Sequence, residues 1–147
     1  EAGATAFEAF GADEDFQKVM QLRAVDPVGE VVGPWIGRMI FGNAPKGSKP
    51  VVVHRDYHTP RSAVQKALEL APELQNLMES LGVEVGVGMP IMKDDHEMLR
   101  IVYRFDSMVH WGQSVDKMVT DERFLGIVNA AHEAATLKSS RMLVKVE

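Results

Sequence analysis

Val83, Val85, Val87 and Met89 alternate with Glu84, Gly86, Gly88 and Pro90. After a polar turn, Lys93 to His96, Leu99, Ile101, Tyr103 and Phe105 alternate with Arg100, Val102, Arg104 and Asp106. Two period-two segments joined by a turn make a β-hairpin with one apolar face. A hairpin alone is marginal in water, so that face must be covered by further strands and helices.

The flanking sequence supplies the cover. Val51 to His58 reads as a strand, and Thr59-Pro60 as a helix start, with Thr as N-cap and Pro at the first helical position. Val64, Ala67, Leu68, Ala71, Leu74, Leu77, Met78 and Leu81 recur at helical spacing. Pro72 should kink or split this helix, and Gly82 should end it in a left-handed cap. After the hairpin, Asp106 or Ser107 caps a helix with Met108, Trp111, Val115 and Met118 on its inner face. Thr120 to Phe124 interrupts it before a further helix with Phe124, Ile127, Val128 and Ala131. Met142, Val144 and Val146 suggest a last strand. The order β-α-β-β-α-β predicts an α+β, ferredoxin-like fold: four antiparallel strands with helices on one face.

The first third is less regular. Glu1 to Ala12 is rich in Ala and Gly and reads as weakly ordered. Asp13 caps a short helix carrying Phe16, Val19 and Met20, which Asp26-Pro27 ends. Val28 to Gly42 reads as two short extended pieces around Gly33-Pro34, and Asn43 to Pro50 as a loop. We therefore expect an N-terminal arm over residues 1–49, with a short helix and an extended hairpin, and a barrel domain over 50–147. The arm would lengthen the sheet or wrap a partner.

Side chains alternate across a strand, so the sheet can be sorted by parity. One face collects Val51, Val53, Val83, Val85, Val87, Leu99, Ile101, Tyr103, Phe105, Met142, Val144 and Val146, with Arg55 and Tyr57 continuing it. The other collects His54, Asp56, His58, Glu84, Gly86, Gly88, Arg100, Val102, Arg104, Leu143 and Lys145. The first belongs under the helices. The second either faces water or packs on a second copy, giving a homodimer with a polar-lined barrel.

Bulk properties narrow the partners. The net charge of -5 and scattered basic residues argue against nucleic acid. No apolar run reaches the roughly 18 residues of a membrane helix. The start has no signal-peptide pattern, and the first residue is Glu rather than Met, which leaves room for residues upstream. The absence of cysteine removes disulfides, thiolate metal sites and cysteine nucleophiles, and fits a cytoplasmic protein.

The stretch YRFDSMVHWGQSVDKMVTDERFLGIV, Tyr103 to Val128, ends a strand in Phe-Asp-Ser, places a Trp shortly after, and breaks at Asp-Glu-Arg-Phe. With the opening strand ending Arg-Asp-Tyr-His-Thr, it resembles the dimeric α+β barrel superfamily. That group includes cofactor-free monooxygenases of antibiotic biosynthesis, muconolactone-isomerase-like enzymes and NIPSNAP-type proteins. The resemblance covers residues 50 to 147. It implies a homodimer and no organic cofactor, and it is specific for fold rather than chemistry. It also implies a ligand between sheet and helices, where Arg55, Tyr57, Met89, Tyr103, Met108, Trp111 and Met118 would line a substrate pocket.

The residues themselves offer several chemistries. His54 or His58 could act as a general base, with Arg55 or Arg100 stabilising an oxyanion. His54, Asp56 and His58 on one strand face could instead hold a divalent metal, or simply pair with Arg100 and Arg104. Arg55 on an apolar face must be paired, bind an anion, or lie beyond the helix edge in water. Trp111 repeats at core spacing with Met108 and Val115. His110 is expected to face solvent. Gly86 and Gly88 leave room on the polar face for a ligand, a partner sheet or a large side chain.

Two functions follow. One is a small enzyme without organic cofactor, acting on an apolar, aromatic or polyketide-like metabolite as an oxygenase, isomerase or cyclase. The alternative is a non-catalytic ligand-binding or dimeric interaction protein. The enzyme requires an open pocket reaching an ionisable group of shifted pKa. The interaction protein requires a closed interior with every charge paired.

Overall fold

The computed structural model describes residues 2–26, 36–42 and 47–146. The chain divides into two units, Glu1–Gly33 and Pro34–Glu147. In the first, α1 (Ala2–Ala12) is helical where weak order was expected. α2 (Glu14–Val25) starts at the Asp13 cap, whose Oδ1 accepts the Phe16 N–H at 2.8 Å, and ends at Asp26. No α2 residue is buried.

The second unit holds the sheet. Its strands are β1 (Ile36–Phe41), β2 (Val51–His58), β3 (Glu84–Met92), β4 (Met98–Phe105) and β5 (Thr136–Val144), in the spatial order β1-β3-β4-β2-β5. All pairings are antiparallel. β2 and β3 flank β4, which is the split crossover of the ferredoxin-like fold. β1 adds a fifth strand beside β3. The other extended piece expected before it lies outside the described residues.

The helices follow from local signals. A 3-10 turn (Arg61–Ala63) leads into α3 (Val64–Glu69) and α4 (Ala71–Ser80), split where Pro72 occupies the first turn of α4. Gly82 adopts φ +71°, and its N–H and that of Val83 donate to Glu79 O and Met78 O. That is a Schellman cap, which a residue with a Cβ would strain. Thr59 does not cap the first turn as its sequence suggested. It is fully buried, its N–H donates to Glu97 O at 2.8 Å, and its hydroxyl leans toward Tyr57 O. The strand pairing thus claims Thr59 first. α5 (Met108–Met118) is capped by Ser107 and α6 (Glu122–His132) by Asp121.

The core lies between the helices and one sheet face. Met78 and Phe105 are essentially sealed, with Val51, Val83, Leu74, Leu77, Met118, Phe124 and Ile127 around them. Burying each large side chain stabilises the fold by about 1.5–3 kcal/mol. His110 belongs to this architecture rather than to solvent. Its Nδ1 accepts the Asp106 N–H at 3.1 Å, and its Nε2 lies 2.8 Å from Leu81 O, tying the start of α5 to the end of α4. Its ring also meets Phe105 edge-on.

Candidate functional site

The register fixes which side chains share a face. Val53 opposes Tyr103, Arg55 opposes Ile101 and Tyr57 opposes Leu99, all on the helix side. His54 opposes Val102, Asp56 opposes Arg100 and His58 opposes Met98, all on the open side. The sequence-predicted site residues are therefore divided by the sheet. Arg55, Tyr57, Tyr103, Trp111 and Met118 lie on the helix side, and His54, His58 and Arg100 on the other. No pocket between sheet and helices can combine the two sets, so an assignment mixing His54 with Trp111 does not survive the geometry.

On the helix side, a cavity of about 160 Å³ opens between the sheet, α3, α4 and α6. Its walls are apolar: Leu68, Leu74, Val87, Leu99, Ile127 and Val128 contribute. Four alanines explain the space. Ala67, Ala71, Ala131 and Ala135 face it with one methyl each, where longer side chains would meet the sheet. The polar lining is confined to Arg55, Tyr57, Thr59, Tyr103 and His132. His132 is exposed in the last turn of α6. A smaller hollow of about 20 Å³ lies on the other side of Arg55 and Tyr103, lined also by Trp111 and Met118. Met89 and Met108 line neither. Met89 packs with Val87 and Leu99, and Met108 is exposed at the start of α5.

Arg55 and Tyr103 are diagonal neighbours on adjacent strands, and the guanidinium sits 5.6 Å from the ring centroid. Among the described residues, the Arg55 side chain has no carboxylate partner and donates no hydrogen bond. Tyr103 is 5% exposed, and its hydroxyl also has no protein partner among them. Burial pushes the Tyr103 phenol well up, the nearby Tyr57 adds to this, and Arg55 opposes it.

The open side is organised around Asp56, which is 3% exposed. Arg100 holds it bidentate, Nε to Oδ1 at 2.6 Å and Nη2 to Oδ2 at 2.8 Å. Arg141 and Ser139 donate to Oδ2 at 3.2 and 3.3 Å, and Lys93 lies 3.7 Å away. Burial raises the Asp56 pKa, but the hydrogen bonds and charge of Arg100, with Lys93 and Arg141, outweigh it and hold the carboxyl below its ordinary range. Arg100, expected as an oxyanion-stabilising group, is thereby committed to Asp56. Burial and the Arg100 charge lower the His54 pKa. His58 lies 3.5 Å from Asp95. His54, Asp56 and His58 do not converge on a metal, because Arg100 occupies both Asp56 oxygens. Among the described residues no three acidic or imidazole groups are placed to hold one.

The space over Gly86 and Gly88 belongs to Met39 of β1. A Cβ on Gly86 would collide with Met39 Cε, and one on Gly88 would meet Met39 Sδ at 3.7 Å.

No protein-family model and no curated protein matches this chain. Solved structures do. A NIPSNAP domain protein from Burkholderia xenovorans is similar at 12% identity over 66% of this chain and 93% of its own, with a TM-score of 0.53. A NIPSNAP family protein from Agrobacterium tumefaciens is similar at 18% identity, with the same coverage and a TM-score of 0.51. A heme-degrading enzyme from Listeria monocytogenes is similar at 12% identity over 88% of this chain and 94% of its own, with a TM-score of 0.57. The fold is the α+β, ferredoxin-like fold of these proteins.

Proposed function

We propose that this chain is a small-molecule enzyme working without an organic cofactor, with its apolar substrate held in the helix-side cavity. The observation that carries the reading is an open apolar cavity reaching a cation, Arg55, that is unpaired among the described residues, and a buried phenol of raised pKa. That is the pattern required of the enzyme, and a protein serving only to dimerise would have closed it. His132, at the mouth, replaces His54 and His58 as the proton acceptor, because they lie across the sheet. Sites for drug-sized ligands occupy roughly 300–1,000 Å³. A cavity of about 160 Å³ suits a single ring with short substituents.

The open sheet face supports a homodimer. Leu143 is 52% exposed there, beside its partly buried cross-strand partner Val52. Asp56 is satisfied within one chain, so pairing needs no charge from the partner.

Native mass spectrometry of the protein purified from cells tests both readings. We expect a dimer carrying a small organic molecule, with Ala131→Leu losing the molecule and Leu143→Glu losing the dimer. Retention of the same molecule by Ala131→Leu would remove the cavity as its site.

A further inference from the structure

Resting on the cavity reading, we infer that the ligand carries an acidic oxygen, a carboxylate or an ionised phenol or enol, and that Arg55 with the Tyr103 hydroxyl is the subsite that binds it. A guanidinium stays charged at all accessible pH, and its planar N–H fork suits two parallel bonds to an anion. Arg55 is partly buried against an apolar wall, yet among the described residues its protein contact is the face of Tyr103. A ring face offsets some of its charge but accepts none of its hydrogen bonds in the ring plane.

Tyr103 is the second, independent observation. A buried tyrosine normally finds a partner for its hydroxyl. This one lines the cavity without one among the described residues. Strand register sets the two groups side by side in the cavity wall, because Val53 opposes Tyr103 and Arg55 follows two residues on, with Tyr57 next along the same strand. Arg100 shows how this chain treats an arginine meant for structure: a carboxylate meets it bidentate. Arg55 has been left for something else. A carboxylate accepts from both groups at once, with its ring or short chain toward Leu74, Leu99 and Ile127.

Cavities of about 150 Å³ admit benzene, so one-ring probes fit. Benzoate, benzamide and toluene would be titrated at neutral pH and followed by methyl NMR of the cavity leucines and isoleucines. We expect benzoate to bind at least about tenfold more tightly than its neutral isostere benzamide, about the differential worth of one charge-assisted pair. Arg55→Gln should bring that ratio close to one while benzamide and toluene still bind. Arg55→Lys should keep part of the preference, and Tyr103→Phe should reduce it less than Arg55→Gln does. Equal binding of benzoate and benzamide by the unmodified protein would overturn the proposal and leave the cavity reading intact. A benzoate preference surviving Arg55→Gln, or unaffected by Ala131→Leu, would place the anion elsewhere and also overturn it. Failure of all three probes would overturn the cavity reading, and the proposal with it.

Discussion

Asp56 and Tyr103 are both polar, both nearly sealed from water and only one strand apart, yet the two faces of the sheet treat them oppositely. Asp56 on the open side receives hydrogen bonds from Arg100, Arg141 and Ser139. Tyr103 on the helix side receives none among the described residues and faces a cavity. A satisfied buried group holds strands in register, whereas an unsatisfied one is a cost that a ligand can remove. The difference separates the scaffold face from the site face, which residue type alone could not do. By type, the open face with its two histidines and aspartate looked the more chemical.

The contrast can be broken most forcefully at Asp56. Asp56→Asn should destabilise the fold by about 3–5 kcal/mol in urea unfolding, because Arg100 is left buried without its counter-charge. Replacing the pair together, Asp56→Leu with Arg100→Met, should cost far less. A double variant as unstable as the single one would show that the carboxylate acts through some other contact. Next in size is Gly86→Ala, which should cost at most about 1 kcal/mol, because the atom it meets is the terminal methyl of the flexible Met39 side chain, which can turn aside. Met39→Ala in the same chain should recover part of that loss, and additive costs would remove Met39 from the account.

Acid sharpens the comparison at His54. Its pKa is lowered in the folded chain, so the unfolded chain binds the proton more readily. Stability should therefore fall as pH drops through about 6.5 toward the folded value, and His54→Gln should flatten the fall between about pH 8 and pH 5. Asp56 acts in a lower window. Its contribution is present above the ordinary carboxylate value and is lost as pH falls through its depressed folded pKa. The smallest effect belongs to Tyr103→Phe, which should leave stability unchanged or slightly raised, since no protein hydrogen bond goes with the hydroxyl. A loss above about 1 kcal/mol, the net worth of an ordinary hydrogen bond, would reveal an internal partner and dissolve the contrast.

Wherever one face was dry, the sequence was readable. The parity of β2, β3 and β4, the break at Pro72, the Gly82 cap and the Ser107 cap all follow from local patterns. Edges were harder. β5 begins at Thr136, ahead of the apolar Met142 and Val144, because Thr-Leu-Lys-Ser-Ser-Arg pairs through its backbone at a wet margin where no alternation is imposed. β1 gave no sign of its partner, since Met39 and the glycines it covers are far apart in sequence. His110 looked exposed because its role depends on Leu81 O, a group no side-chain pattern reports. In the cavity, Arg55, Tyr57 and Tyr103 were visible from parity and residue type. His132 was not. The alanines at 67, 71, 131 and 135 carried the signal in their four-residue spacing, which read as ordinary helix filler.

The place of β2 between β4 and β5 also has a consequence for how the chain matures. It pairs with β4 on one side and β5 on the other, across sequence separations that reach from residue 51 to residue 144. During synthesis the hairpin of β3 and β4 can dock on β2 early, but its other margin stays open until residues 136–144 have emerged. Such distant pairing slows folding, because the intervening loop must close before the contact is made. Until then the growing chain carries an unzipped seam of valines, Val51 to Val53, and its assembly depends on keeping that seam from meeting another chain first.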